Sequence, residues 1–293
     1  MADAKEPHLS PRDILSRDSF RLRSFLAAIQ RLICCSPRMQ NSEHILTDTP
    51  PLADARLRYG NDEYQFGDLR LPQGNGPFPA AMFVHGGFWR ARYDLKHASF
   101  PCAALTKAGF VSWNVEYRRV GNPGGGWPGS FEDVTAGYQF LRQLAGRYPI
   151  DTRRLIVLGH SAGGQLALAL AAHHNSMRAV VSLAGVVNLR RAWDLHLSHD
   201  AVAEFLGGDP QRVPEHYHEA SPAELDIHCE QLLIHGADDD TVPAQMSRDY
   251  ARQKLRKREN VKLLAIPKTG HFEIVDPESR VWSDVQTALR ALI

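Results

Sequence analysis

The sequence predicts an α/β fold in which a mostly parallel central sheet carries helices on both faces. Three observations point there. Short aliphatic runs alternate along the chain with helix-forming stretches, the order that builds parallel sheets through crossover helices. One of those runs, Leu155-Ile156-Val157-Leu158, passes through a glycine-flanked turn into the Ala/Leu-rich stretch Gln165 to Ala172, a strand-turn-helix unit. A length of 293 residues with 43% apolar and 23% charged content suits one large domain with a sizeable core.

Taken in order, Gln65 to Leu71 alternates moderately and reads as an early, partly exposed strand. Ala80 to His85 is a short apolar run closed by a glycine turn, the pattern of a buried strand. Ala98 to Ala108 is helix-like and stops at Gly109, and Phe110 to Val115 is the next strand. Gly121 to Gly129 is rich in glycine and proline and favours neither element. Phe131 to Ala145 reads as a helix; the strand-turn-helix unit follows, then the strand Ala179 to Leu183. Residues 187–228 break the rhythm. They are rich in His, Trp, Asp and Arg, offer only a short helix around Ala201 to Leu206, and are expected to form a small cap insertion over the sheet. Gln231 to His235 resumes the core, Ala244 to Lys257 is a helix, Val261 to Ile266 the last strand, and Pro277 to Ile293 the closing helix. There is no internal repeat.

A formal net charge of +1 provides no field that would favour nucleic acid or an acidic membrane surface. No apolar run reaches the length that crosses a bilayer. Arg21 to Cys35 is the one candidate targeting segment, but Gln30 and Arg31 interrupt it and no small-residue cleavage site follows. Residues 1–38 are expected to be a poorly ordered extension, with the α/β domain over 39–293. A chain starting at Met39 is then expected to keep its activity and thermal stability. Cys34, Cys35, Cys102 and Cys229 show neither metal spacing nor a secreted disulfide framework, and read as reduced thiols of a cytoplasmic protein.

The chemistry centres on Gly159-His160-Ser161-Ala162-Gly163. Two glycines let strand and helix approach closely while Ser161 is held strained with its hydroxyl exposed, which is a nucleophile elbow. The plainer reading is a serine N-cap on an ordinary turn. A serine hydroxyl at neutral pH needs a base, normally an imidazole fixed by a carboxylate. Two late segments supply them: Gly236-Ala237-Asp238-Asp239-Asp240-Thr241-Val242 after one strand, and Gly270-His271 after the last. In open parallel sheets, ligands gather at the carboxyl ends of strands, so Ser161, an aspartate of the first segment and His271 should converge there. His85-Gly86-Gly87-Phe88-Trp89 ends a further strand. The backbone N–H groups of Gly87 and Phe88, with that of Ala162, suit a developing oxyanion, and Gly86 shapes the turn. His85 and His160 read as structural, His85 hydrogen-bonding nearby loop backbone.

With serine, aspartate and histidine in that chain order, the sequence resembles the α/β-hydrolase fold over about residues 45–293. The acid of that fold follows Gly-x-x-Asp-x-x-Val; laid on Gly236, Asp239 and Val242, the pattern selects Asp239 over Asp238 and Asp240. The resemblance thus implies a Ser161-His271-Asp239 triad acting through an acyl-enzyme. His-Gly-Gly-x-Trp resembles the motif of kynurenine formamidases (arylformamidases). It also resembles that of esterase-type bacterial α/β-hydrolases related to hormone-sensitive lipase and to the catalytic domains of prolyl oligopeptidases, although no segment here could form the propeller of those peptidases.

The expected activity is hydrolysis of small carboxylic esters, with N-formylkynurenine or a small amide or peptide as the alternative substrate. A catalytically silent binding module is the rival from another class, and such proteins often lack a triad member that this chain retains. Glu116 and Arg118 are expected to pair and pin the 121–129 loop. Trp127 either packs that loop or, with Trp89, walls the substrate pocket. His196, His199, His216 and His218 lie among acids but without the spacing of a metal site, so neither metal nor cofactor is expected. The partner is a small molecule, with no nucleic acid and no membrane; a homodimer is allowed.

Overall fold

In the computed structural model, residues 42–293 are described; the extension expected over 1–38, with Cys34 and Cys35, lies outside the described residues. Eight strands are present: β1 (Ala55–Arg58), β2 (Phe66–Arg70), β3 (Phe78–Val84), β4 (Val111–Val115), β5 (Ile150–His160), β6 (Ala179–Leu183), β7 (Glu230–Gly236) and β8 (Val261–Ile266). They form one sheet in the order β1-β2-β4-β3-β5-β6-β7-β8. Only the β1/β2 and β2/β4 pairs are antiparallel; every pair from β4 through β3 to β8 is parallel. Helices α1 (Ser99–Lys107), α2 (Gly129–Leu144), α3 (Ala162–His173), α7 (Ala244–Arg256) and α8 (Trp282–Arg290) complete the frame. Between β6 and β7 lie three short helices, α4 (Leu189–Asp194), α5 (Ala201–Leu206) and α6 (Pro214–Ala220).

The period of two in the strands divides the core. Ala80, Met82 and Val84 of β3 face one apolar cluster with Leu155 and Val157 of β5, Tyr138 of α2 and Leu166 of α3. Ala81 and Phe83 face the other, with Ile156 and Leu158, Cys102 of α1 and Val285 of α8. Alternate residues of one strand thus pack against helices on opposite faces. Helix α3 is buried along almost its whole length, which explains its Ala/Leu-rich sequence without a polar stripe.

Several elements differ from their sequence expectation. β1 reads Ala-Arg-Leu-Arg and alternates between half-buried and exposed, an edge strand too short and too charged to announce itself. The cap region has α4 and α6 besides the helix expected near Ala201; α4 is N-capped by Asn188, whose Oδ1 accepts the Arg191 N–H at 2.9 Å. The closing helix begins at Trp282, because Asp276 accepts the Glu278 N–H at 2.8 Å and folds Pro277 to Arg280 into turns first. At the other end of the described chain, a 3₁₀ turn over Ser42–Leu46 is tied to the same aspartate. Ser42 Oγ donates to Asp276 Oδ2 at 2.7 Å, His44 Nε2 lies 3.3 Å from it, and Ile45 is buried.

Candidate active site

Ser161 joins β5 to α3 with φ 54° and ψ −120°, a left-handed conformation unusual for a residue with a side chain. Its neighbours explain how it is held. The Ser161 N–H donates to Leu183 O at 2.8 Å, and its carbonyl accepts from Gly164 N at 2.9 Å. A Cβ on Gly159 would stand 2.0 Å from Gly163 O, and one on Gly163 would stand 2.1 Å from Val84 O. Strand, helix and the end of β3 therefore touch backbone to backbone, which only glycine permits.

Asp239 follows β7 and His271 follows β8, so both lie at the carboxyl edge of the parallel strands, as Ser161 does. Of the three adjacent aspartates, Asp238 and Asp240 are exposed and Asp239 is buried. Asp239 Oδ2 accepts from His271 Nδ1 at 2.7 Å and has His235 Nε2 3.1 Å away, a nitrogen that also lies 2.9 Å from Val242 O. Its Oδ1 accepts the N–H groups of Thr241 at 2.9 Å and Val242 at 2.8 Å. Burial pushes the Asp239 carboxyl up, but hydrogen bonds from His235 and His271, the charge of His271 and the Val242 N–H outweigh it, holding the group well below the usual carboxylate range. Asp238 N donates to Thr269 O at 3.0 Å, and Gly236 has no room for a Cβ beside Thr269 O, so the two loops are laced together. His160 Nε2 donates to the His271 carbonyl at 3.1 Å, and the two rings lie 4.6 Å apart. No hydrogen bond joins the Ser161 hydroxyl to the His271 ring among the described residues.

After β3 the chain enters three successive left-handed residues, Gly87 (φ 113°), Phe88 (φ 49°) and Trp89 (φ 57°). A Cβ on Gly86 would lie 3.0 Å from Ser161 Cβ, so this loop passes directly over the serine. Among the described residues, the N–H groups of Gly87, Phe88 and Ala162 donate to no protein acceptor; Ala162, first in α3, has no acceptor within its helix. Behind the loop, His85 Nδ1 donates to Gly86 O at 2.8 Å and Nε2 meets Glu116 Oε1 at 2.9 Å. Glu116 also accepts from Leu95 N at 3.1 Å and forms an ion pair with Arg119 at 3.1 Å.

Two expectations need correction. Glu116 does not pair with Arg118: its partners are His85 and Arg119, while Arg118 forms a two-pronged pair with Asp133 at 2.7 Å on each oxygen. Trp89 does not wall a pocket. It is fully buried, stacked on Phe205 at 4.5 Å, with Nε1 donating to Gln165 Oε1 at 2.9 Å. His85 hydrogen-bonds loop backbone as expected, and a carboxylate besides. Trp127 is half-buried against Phe131 and Phe205, packing its loop. The cap histidines do not gather: His196 faces Asp200 and His216 faces Leu206 O, both at 2.7 Å, while His218 lies 4.0 Å from Glu224.

Gln165 and His235 had gone unnoticed in the sequence. The first is the one polar residue in the buried stretch Ala162–Ala171 of an apolar helix, the second the penultimate residue of a strand that leads into the acid loop. Two surface hollows, about 620 and 500 Å³, lie around His228 and Asn260 at the amino ends of β6 to β8, far from this chemistry. Lys257 and Arg178 beside them are already paired with Asp226 and Glu230.

The BD-FAE family model matches residues 68–255 of this chain. A probable isoprenylcysteine alpha-carbonyl methylesterase of Arabidopsis thaliana is 23% identical over 251 residues, 76% of this chain and 52% of that protein. A versiconal hemiacetal acetate esterase of Dothistroma septosporum is 32% identical over 113 residues, 38% of this chain and 33% of that protein. The chain thus spans about half the length, or less, of these curated relatives. Among solved structures, esterase B from Lactobacillus Rhamnosis gives a TM-score of 0.72 at 16% identity, covering 94% of this chain and 96% of that one. A truncated carbohydrate esterase from gut microbiota gives 0.71 at 22% identity, covering 84% and 97%. At such identities the likeness is one of fold.

Proposed function

The chain belongs to the BD-FAE family, an α/β-hydrolase esterase family, and from that premise we propose that it is a serine hydrolase of small carboxylic esters. The observation that carries this reading is a coincidence at one sheet edge. A left-handed serine, a 2.7 Å His271–Asp239 hydrogen bond and three uncommitted backbone N–H groups occur together there.

In this reading, Ser161 Oγ adds to the ester carbonyl while His271 Nε2 takes the hydroxyl proton. Asp239 keeps Nδ1–H oriented and stabilises the imidazolium that forms. The carbonyl oxygen becomes an oxyanion facing the N–H groups of Gly87, Phe88 and Ala162, each worth about 3–4 kcal/mol in the transition state. Collapse of the tetrahedral intermediate breaks the C–O bond to the alcohol, which leaves with the proton from His271. Water then adds to the acyl-serine, gives its proton to His271, and the acid departs as Ser161 regains its hydrogen.

Treating the protein with a fluorophosphonate probe and locating the adduct by mass spectrometry tests the nucleophile. Ser161 should carry the adduct, and Ser161→Ala should lose about 10³-fold or more of p-nitrophenyl acetate hydrolysis with unchanged thermal unfolding. Undiminished hydrolysis by that variant would overturn the assignment. Short p-nitrophenyl esters compared with N-formylkynurenine test the substrate class, with the esters expected to be turned over faster. A cytoplasmic setting accords with the free thiols of Cys102 and Cys229; no helix among the described residues is long and apolar enough to cross a membrane.

A further inference from the structure

Phe88 and Trp89 carry side chains in backbone conformations that favour glycine, and such residues persist only where their surroundings over-determine them. The side-chain holds on this segment lead to the region between β6 and β7. Trp89 stacks on Phe205 of α5 at 4.5 Å and with 10° between ring planes. Its Nε1–H is taken by Gln165, which in turn donates to Ala220 O at the end of α6, at 2.8 Å. Arg90, the next residue, donates from Nε to Glu204 Oε2 at 2.8 Å, from one terminal nitrogen to Ser198 Oγ at 3.0 Å, and from the other to Ser198 O at 2.8 Å. Phe205 is also held through its backbone, its carbonyl accepting the Trp127 N–H at 2.8 Å. The turn that offers Ser198 to Arg90 is itself left-handed at Ser198, His199 and Asp200.

We propose that α5 and the turn before it are positioning machinery for the oxyanion donors: Phe205 and Glu204 hold Trp89 and Arg90, and so keep the Gly87 and Phe88 N–H groups aimed over Ser161. The inference rests on the esterase reading above, because it gives that loop its catalytic purpose. It assigns the cap a role in transition-state stabilisation, where a substrate-gating lid would act on access. A filler of core volume would affect stability alone. A lid would affect KM. A holder of donors affects kcat, because the donors matter most when charge has moved onto the carbonyl oxygen.

The test compares wild type with Phe205→Leu, Arg90→Met and Arg90→Lys, using p-nitrophenyl acetate and its thionoester, whose sulfur is a poor hydrogen-bond acceptor. The expected result is a kcat about 10- to 100-fold lower in Phe205→Leu and Arg90→Met, with KM within about twofold. The ester-to-thionoester rate ratio should fall about tenfold with it, and Arg90→Lys should recover part of both. Crystal structures of the same variants should have Phe88 and Trp89 relaxed out of the left-handed region. Unchanged kcat and rate ratio in folded variants would overturn the inference, as would a Phe205→Leu structure that keeps both residues left-handed. If Phe205→Leu does not fold, the two Arg90 variants decide the matter. Should wild type itself hydrolyse no ester, the esterase reading fails, and the loop conformation in the variants still decides whether α5 holds it.

Discussion

His271 Nδ1 and Asp239 Oδ2 meet at 2.7 Å across 32 positions of sequence, in a pair that solvent barely reaches. The carboxylate takes two backbone N–H groups on Oδ1 and the His271 ring on Oδ2, with His235 Nε2 3.1 Å from the same oxygen. These contacts orient the ring and keep the acid ionised while buried.

Replacing Asp239 by Asn would put an amide N–H where a proton acceptor is needed and favour the wrong tautomer of His271. Asp239→Asn should lower kcat on p-nitrophenyl acetate by about 10⁴-fold. Asp238→Asn and Asp240→Asn, altering exposed groups, should leave kcat nearly unchanged. Steady-state kinetics on the three variants checks the assignment; equal losses would dissolve it.

The elbow glycines should be intolerant for steric reasons. A Cβ at position 163 falls 2.1 Å from Val84 O and 2.5 Å from His85 O, both backbone atoms that cannot swing away. Gly163→Ala should therefore cost about 3 kcal/mol or more. At Gly109, where φ is 96° and nothing lies within 4 Å of the added atom, alanine should cost only about 1–2 kcal/mol. Urea denaturation midpoints separate the two.

Removing the buried Glu116 carboxylate strands His85 and Arg119, which have little access to water. Glu116→Ala should lose about 3–5 kcal/mol of stability. Because His85 also holds the Gly86 carbonyl, activity should drop in protein that remains folded. A rate per folded molecule equal to wild type would show that the pair does not steady the loop.

Acid should destabilise the fold from near neutrality downward. Burial, reinforced by the charge of His85, pushes His97 down to about 3 from its ordinary 6.5. Burial, with His271 and His97 as neighbours, holds His160 well below its ordinary value too. Between those folded values and 6.5 the unfolded chain binds protons that the folded chain refuses, so stability is present above about pH 6.5 and is lost as pH falls below it. Asp239, depressed when folded, acts in the same direction below its ordinary 3.8. Unfolding free energy followed from pH 7.5 to 4.5 should decline steadily, and His97→Phe should flatten the slope; a level wild-type profile would contradict the burial of neutral imidazoles.

Much of the candidate site was legible because each of its parts is signalled locally. Ser161, Gly159 and Gly163 form one contiguous turn, and Asp239 and His271 each follow a strand that its apolar run reveals. What stayed hidden depends on which distant side chain arrives at a given point. Nothing near Arg118 in sequence distinguishes Asp133 from Glu116 as its partner, because the choice is made by α2 packing against β4. Trp89 beside two glycines looked like a pocket wall, and its burial is set by Phe205, more than a hundred positions on. The helices α4 and α6 escaped notice because their six or seven residues are rich in polar and charged side chains, whereas α5, equally short, is mostly apolar.

The tether between Ser42 and Asp276 bears on how the protein is handled. Val275 N donates to Phe272 O at 3.0 Å, closing the turn that follows His271, and Asp276 is the next residue. An affinity tag, protease site or deletion that cuts into Ser42 to Ile45 would unfasten that turn from its anchor. Trimming should stop short of Ser42 if the protein is to be prepared with its histidine loop intact.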